Sequence, residues 1–282
     1  MSHQPPSLAA VRRVFDARAN DFDDYAFVYD EVRTRLLDRL DGINTAPGRV
    51  LDVGCGSGRG ASALTSRFPS SELIMLDASP AMANKARAST GGLVLNAALP
   101  QLPLADASLG LVFANLCLAY CDNIRSALLA VARVLEPGGL FAFATLGPDS
   151  FAELQMARAA VGDKVRPVFA DMHHLGDALV QSGLADPVLD VDYLKISYRD
   201  WNTLWRELVS CGAAPGQNIT GGMLGGGARC HALRGEYPQI AGESPYQVTL
   251  ELVFGHAWRS PPQQAAQGPQ EVAVPVTQIK RR

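Results

Sequence analysis

The stretch Val50-Leu51-Asp52-Val53-Gly54-Cys55-Gly56-Ser57-Gly58 constrains this chain more than any other. A short apolar run passes straight into three alternating glycines, and a helix is predicted from Gly60 to Phe68. Glycine lets the main chain turn sharply and lets a ligand come close to the backbone. A strand–glycine–helix corner of this kind belongs to an α/β sheet, at the carboxyl edge where such sheets bind nucleotides. No Gly-Lys-Ser/Thr follows, so the loop is not a P-loop. A dinucleotide fingerprint can be laid only on Gly56, Gly58 and Ala61, late relative to the strand. Asp52, just ahead of the glycines, favours a nucleoside with a cationic amino-acid end, whose ammonium the carboxylate balances.

The flanking pattern agrees with an α/β sheet. Residues 8–40 are predicted helical and end in the breaker-rich run 41–48. Strands are predicted at 72–76, 93–95, 109–114 and 140–145. Between them lie a helix opened by Ser79 as cap and Pro80 as first residue, and an amphipathic helix over 124–135. Short apolar strands alternating with helices predict a parallel sheet covered on both faces. After Thr145 the pattern changes to helices at 149–161, 172–182 and 201–211, with alternating strands at 188–198 and 246–258. The glycine-rich run 221–227 reads as a connector, and the Pro/Gln-rich residues 260–282 as a disordered tail.

Composition narrows the function classes. The 282 residues are 48% hydrophobic and 19% charged, which suits a sizeable core. A net charge of -3 gives no global basic field for nucleic acid. The longest apolar runs fall well short of the roughly 18–20 residues of a membrane span. The five cysteines form no C-x-x-C pair and read as free thiols of a cytoplasmic protein. No nucleic acid, membrane or metal is therefore expected. His173 and His174 are adjacent and would diverge by about 100° on a helix, which suits no shared metal. Cys117 and Cys121 read as packing residues, as do Trp201 and Trp205.

Asp77 is the second candidate ligand group. It ends the second strand, before Ala78, where a carboxylate accepts from ribose hydroxyls. Two acids at adjacent strand ends around a glycine loop are far more specific than either alone.

From Arg49 to Thr145 the chain resembles the class I S-adenosylmethionine-dependent methyltransferases, in the glycine motif, the acidic second motif and the "VLEPGGLFAFAT" block. The turn 145–150, the segment 169–200 and the terminal "FGHAW" resemble the malonyl-acyl carrier protein methyltransferases of biotin synthesis, over about residues 8–259. The resemblance implies a Rossmann-like, doubly wound seven-stranded sheet whose last strand is antiparallel, with a helical lid. It implies a helical cap over 1–48, a cofactor core over 49–146, and lid helices with the last two strands over 147–259. The implied cofactor is S-adenosyl-L-methionine, held by Asp52, Gly54, Gly56, Gly58, Asp77, Ala78, Met82, Ala98, Leu99 and Asn115. The implied partner is acyl carrier protein bearing malonyl. Arg206 matches the basic residue that holds the substrate carboxylate, with Phe22 and Tyr120 on the substrate side, while Arg12, Arg13 and Arg18 read as peripheral. The chain departs from the family pattern in having Ala98 for an Asp, Gly110 for the Asp of strand four, Tyr120 for a Trp and Phe22 for a Tyr. Two alternatives stay open: a methyltransferase with another acceptor, and a repurposed assembly factor on the same fold.

Overall fold

The computed structural model describes residues 7–162, 169–210, 227–239 and 241–261. Seven strands form one sheet: β1 (Arg49–Val53), β2 (Glu72–Asp77), β3 (Leu93–Asn96), β4 (Leu109–Asn115), β5 (Leu135–Leu146), β6 (Leu184–Tyr198) and β7 (Tyr246–Arg259). Their order is β3-β2-β1-β4-β5-β7-β6. The first five pair in parallel, and β7 runs antiparallel to both β5 and β6. The order reverses direction at β1, so the carboxyl ends of β1 and β4 flank the crevice where α/β sheets bind ligands.

Nine α-helices are described: α1 (Leu8–Arg18), α2 (Phe27–Asp38), α3 (Ala61–Arg67), α4 (Pro80–Thr90), α5 (Ile124–Val134), α6 (Ala152–Ala160), α7 (Met172–Gln181), α8 (Trp201–Ser210) and α9 (Gly227–Glu236). Local chemistry sets several of their starts. Ser79 caps α4 by accepting from the Met82 N–H, with Pro80 at the first position, and Gly91 ends it left-handed. Asn123 caps α5 and Asp171 caps α7 in the same way.

Apolar layers cover both faces of the central strands. One gathers Leu36, Val50, Phe113, Ala142 and Phe254, and the other Leu51, Val112, Val131, Phe141 and Leu179. Strands buried on both faces explain the unbroken apolar runs of β4 and β5.

The structure corrects several boundaries. The expected continuous helix over 8–40 is broken by a 3-10 turn at Phe22–Tyr25. Asn20, Asp21, Asp23 and Asp24 compete poorly for a helix interior, and packing fixes the break. Phe22 is buried with Ala19, Ala26 and Met82, and Lys85 Nζ donates to the freed Ala19 carbonyl at 2.8 Å. The strand expected at 140–145 is longer: β5 begins at Leu135 and takes in the Glu136-Pro137-Gly138-Gly139 run. β6 begins at Leu184 rather than Val188, with a register shift between Ala185 and Val188. Residues 221–226 and the tail beyond residue 261 lie outside the described residues. Among the described residues, no helix is long and apolar enough to cross a membrane.

Candidate active site

A cavity of about 480 Å³ opens at the carboxyl ends of β1, β2 and β4. That is within the range of a pocket for a small molecule or cofactor. Its floor is the corner read first in the sequence. β1 ends at Val53, and Gly54 and Gly58 then adopt φ of +74° and +86°. A Cβ on Gly54 would stand 2.5 Å from Cys117 Cβ, and one on Gly58 would stand 2.9 Å from Thr90 Cγ2. Gly54 therefore lets the loop pass under the segment after β4. Gly58 lets it pack on α4, and it does not line the cavity.

Asp77 is half-buried at the end of β2. One carboxylate oxygen accepts from the Gly56 N–H at 2.8 Å and the other from the Ser79 N–H at 2.8 Å. Burial pushes its pKa up to about 6, against the lowering effect of those two N–H groups. Each oxygen keeps a further lone pair for another donor, and Asp77 lines the cavity. Asp52 is 4% exposed, and burial pushes it up to about 7, with Arg33 opposing and Asp77 adding to the rise. Its Oδ2 and the Arg33 Cδ both lie close to Gly60, at 3.1 and 3.3 Å from where a Cβ would stand. An added cation would relieve the cost of ionising this carboxylate. Asn115 donates to the Tyr29 carbonyl at 2.9 Å, while its buried Oδ1 has no partner. A buried acceptor without a partner is a place for a ligand donor.

The other side of the cavity is aromatic. Phe15 meets Tyr120 edge-on at 5.3 Å, and Phe22 tilts against Tyr29 at 5.1 Å. The Tyr29 and Tyr120 hydroxyls are 3.0 Å apart. This wall comes from α1, the 3-10 turn, α2 and the segment after β4, so only folding brings it together. Ser57 Oγ donates to Asp23 at 2.5 Å, and Lys85 lies 2.8 Å from the same carboxylate, tying the turn to the glycine loop. Those donors hold Asp23 below the usual carboxylate range although burial pushes the other way.

Of the residues singled out in the sequence, Asp52, Gly54, Gly56, Asp77, Ala78, Ala98, Leu99, Asn115, Phe22 and Tyr120 all line this cavity. Met82 does not. It is fully buried beneath the wall against Ala19, Phe22 and Ala26, because its helix position turns it into the packing layer. Arg206 is exposed on α8, with its Nε donating to the Asn202 carbonyl at 3.4 Å, and it is not among the lining residues. Gly110 also lies away from the cavity, where a Cβ would stand 2.8 Å from Pro47, so that departure is steric. Sequence reasoning missed Tyr29, Asp30, Arg33, Arg59 and Asn123, and set Arg12 at the periphery, although all line the cavity. Asn123 carried a signal, as a cap residue opening α5. Arg12, Tyr29, Asp30 and Arg33 lie on helix faces whose orientation depends on long-range packing, and Arg59 lies in the turn ahead of α3, held by Asp30 of α2. No cluster that could hold a metal ion occurs among the described residues.

The fold agrees with known proteins. A methyltransferase-domain family model matches residues 51–143. The malonyl-acyl-carrier-protein O-methyltransferase of Methylovorus sp. is 36% identical over 262 residues, covering 89% of this chain and 88% of its own. That of Halorhodospira halophila is 38% identical over 285 residues, covering 96% and 95%. Among solved structures, the YcgJ protein of Bacillus subtilis superposes with a TM-score of 0.59 at 17% identity, covering 82% of this chain and 99% of that one. A SAM-dependent methyltransferase of Thermotoga maritima gives 0.54 at 18%, covering 88% and 98%. These last two show the fold. The likeness to the first two spans nearly the whole of each chain, and on that ground this chain belongs to the malonyl-acyl-carrier-protein O-methyltransferase family, whose methyl donor is S-adenosylmethionine.

Proposed function

We propose that this chain transfers a methyl group from S-adenosylmethionine to the free carboxylate of malonyl-acyl carrier protein, in biotin synthesis. The observation that carries the reading is the pairing of two unlike halves in one cavity. Buried Asp52 and half-buried Asp77 stand at adjacent strand ends, and an aromatic wall of Phe15, Phe22, Tyr29 and Tyr120 lines the same cavity. The cofactor fits the first half. Asp52 answers the ammonium of its methionine end, Asp77 the ribose hydroxyls, and the orphan Asn115 Oδ1 a donor. Ala98 and Leu99 provide an apolar wall for the adenine.

When bound, the cofactor supplies a methyl group activated on a sulfonium. A carboxylate acceptor is already ionised at neutral pH, so the site needs no general base. The protein's work is to align acceptor and methyl carbon and to keep water out. The aromatic wall suits that work, since opposite charges on acceptor and sulfonium cancel during transfer and a poorly solvated site favours their loss. Aromatic faces also attract a sulfonium as they attract other cations. Carrier protein bearing malonyl is the partner this reading requires, in the cytoplasm where its thioester is made.

Phe22, Tyr120 and Ala98 stand on the cavity wall where the family pattern has other side chains. They support a second reading, a methyltransferase with a different acceptor. The test is labelled-methyl transfer with malonyl-carrier and acetyl-carrier in parallel. Label on malonyl-carrier alone is expected. Label on both, or on neither, would exclude the proposed substrate.

A further inference from the structure

Arg12 stands apart from the other cations of the cavity wall. α1 lines the cavity through Leu8, Val11, Arg12 and Phe15. Positions three and four apart make one helix face, and of its residues that line the cavity Arg12 is the charged one. The Arg12 Nε is shut off from solvent and has no hydrogen-bond partner, and Arg12 makes no ion pair among the described residues. Arg33 and Arg59, the other guanidiniums lining the cavity, are both held by Asp30. Their bonds keep that carboxylate below its usual range although burial alone would raise it. Asp16, one turn beyond Arg12, is engaged elsewhere: it accepts from Ser79 Oγ at 2.5 Å and from the Ala81 N–H at 3.1 Å. A partly buried guanidinium with an unfilled donor is costly until an anion meets it.

Two observations place that anion on the acceptor rather than the cofactor. Arg33 already supplies a cation beside Asp52, at the strand-end half. Arg12 lies one turn from Phe15, which packs on Tyr120 in the aromatic half. Arg206, the basic residue that the sequence offered, is exposed and off the cavity wall.

We infer that Arg12 pairs with an oxyanion of the methyl acceptor and so sets acceptor specificity. This rests on the function proposed above. A carrier-bound malonyl group brings two oxyanions, the free carboxylate and the phosphate of the arm that tethers it, and a guanidinium fork suits either. The test uses the full chain with Arg12→Ala and Arg12→Lys. Three acceptors are compared: malonyl-carrier, malonyl-phosphopantetheine and malonyl-pantetheine, which lacks the phosphate. Affinity for S-adenosylhomocysteine is measured alongside by calorimetry.

Arg12→Ala is expected to lower kcat/KM for malonyl-carrier by about 10- to 150-fold, the range for hydrogen bonds to charged groups. Cofactor affinity stays unchanged, and Arg12→Lys restores part of the activity. A loss that persists with malonyl-pantetheine assigns the carboxylate, and a loss confined to phosphate-bearing acceptors assigns the phosphate. Wild-type kcat/KM in Arg12→Ala overturns the inference and leaves the function standing. A fall in S-adenosylhomocysteine affinity large enough to explain the loss also overturns it. Absence of turnover of every malonyl acceptor by the wild-type chain overturns the function, and with it the ligand assigned here. Should Arg12→Ala fail to fold, Arg12→Gln keeps the aliphatic stem and gives the same comparison.

Discussion

The two halves of the cavity are built by different rules. The strand-end half is local: Asp52 to Gly60 and Asp77 to Ser79 are short runs in which strand, turn and helix cap follow one another. The aromatic half is assembled from distant segments. Phe15, Phe22 and Tyr29 come from the first thirty residues and Tyr120 from beyond β4, joined by a hydroxyl contact spanning 91 positions. The first half is polar and partnered by backbone N–H groups. The second is apolar and held by ring packing. One half can therefore be altered with little effect on the other, and substitutions should separate cofactor affinity from acceptor turnover.

The largest effect should come where the halves touch. Gly54 sits under Cys117 with a positive φ, so Gly54→Ala combines a 2.5 Å clash with left-handed strain. Overpacking and that strain together should cost about 2–5 kcal/mol of stability. Thermal or urea unfolding measures it. Gly56→Ala is the contrast: it shares the left-handed strain, with φ of +55°, but its Cβ would meet only the Phe22 ring at 3.6 Å, so without the clash it should cost only about 1–2 kcal/mol while crowding the cavity. Equal losses for the two variants would break the picture of a loop clamped at Gly54.

Next in size is Asp77→Ala. It removes a carboxylate that both receives backbone N–H groups and faces the cavity. Cofactor affinity should fall by about 1.5–3 kcal/mol in calorimetric titration. An unchanged affinity would remove Asp77 from the cofactor half.

What could be read in the sequence follows the same division. The glycine corner, the cap at Ser79 and the acids at two strand ends are local patterns, and they gave the sheet and the strand-end half in advance. The break at Phe22–Tyr25 was missed because it depends on Phe22 packing against Met82, a contact between separate elements. Met82 was placed at the cofactor because its sequence position could not show which way α4 turns it. Arg12 read as peripheral for the same reason: its place on the wall is fixed by how α1 lies against α4.

A smaller effect tests the aromatic half. Tyr120→Phe keeps the ring against Phe15 and removes the hydroxyl that meets Tyr29. Acceptor kcat/KM should fall by about 0.5–1.5 kcal/mol while cofactor affinity stays level. A matching fall in cofactor affinity would show that the halves are not independent.

The proposed cofactor site rests on two carboxylates at adjacent strand ends, Asp52 buried and Asp77 half-buried. Burial raises Asp52 to about 7 and Asp77 to about 6 from an ordinary 3.8. An acid raised in the folded state binds its proton more tightly there than in the unfolded chain. These two groups therefore stabilise the free protein at low pH, and that contribution is lost as pH rises from about 4 through about 7. Cofactor binding has the opposite slope, because the ammonium pairs with ionised Asp52. The decisive measurement is calorimetric titration with S-adenosylmethionine at pH 5.5 and 7.5, for wild type and Asp52→Asn. Wild-type affinity is expected to be about ten-fold or more higher at pH 7.5, with proton release on binding, and Asp52→Asn to bind weakly, with only the smaller pH dependence, about four-fold, that Asp77 contributes. Wild-type affinity that is flat across this range, or unchanged by Asp52→Asn, would contradict this site.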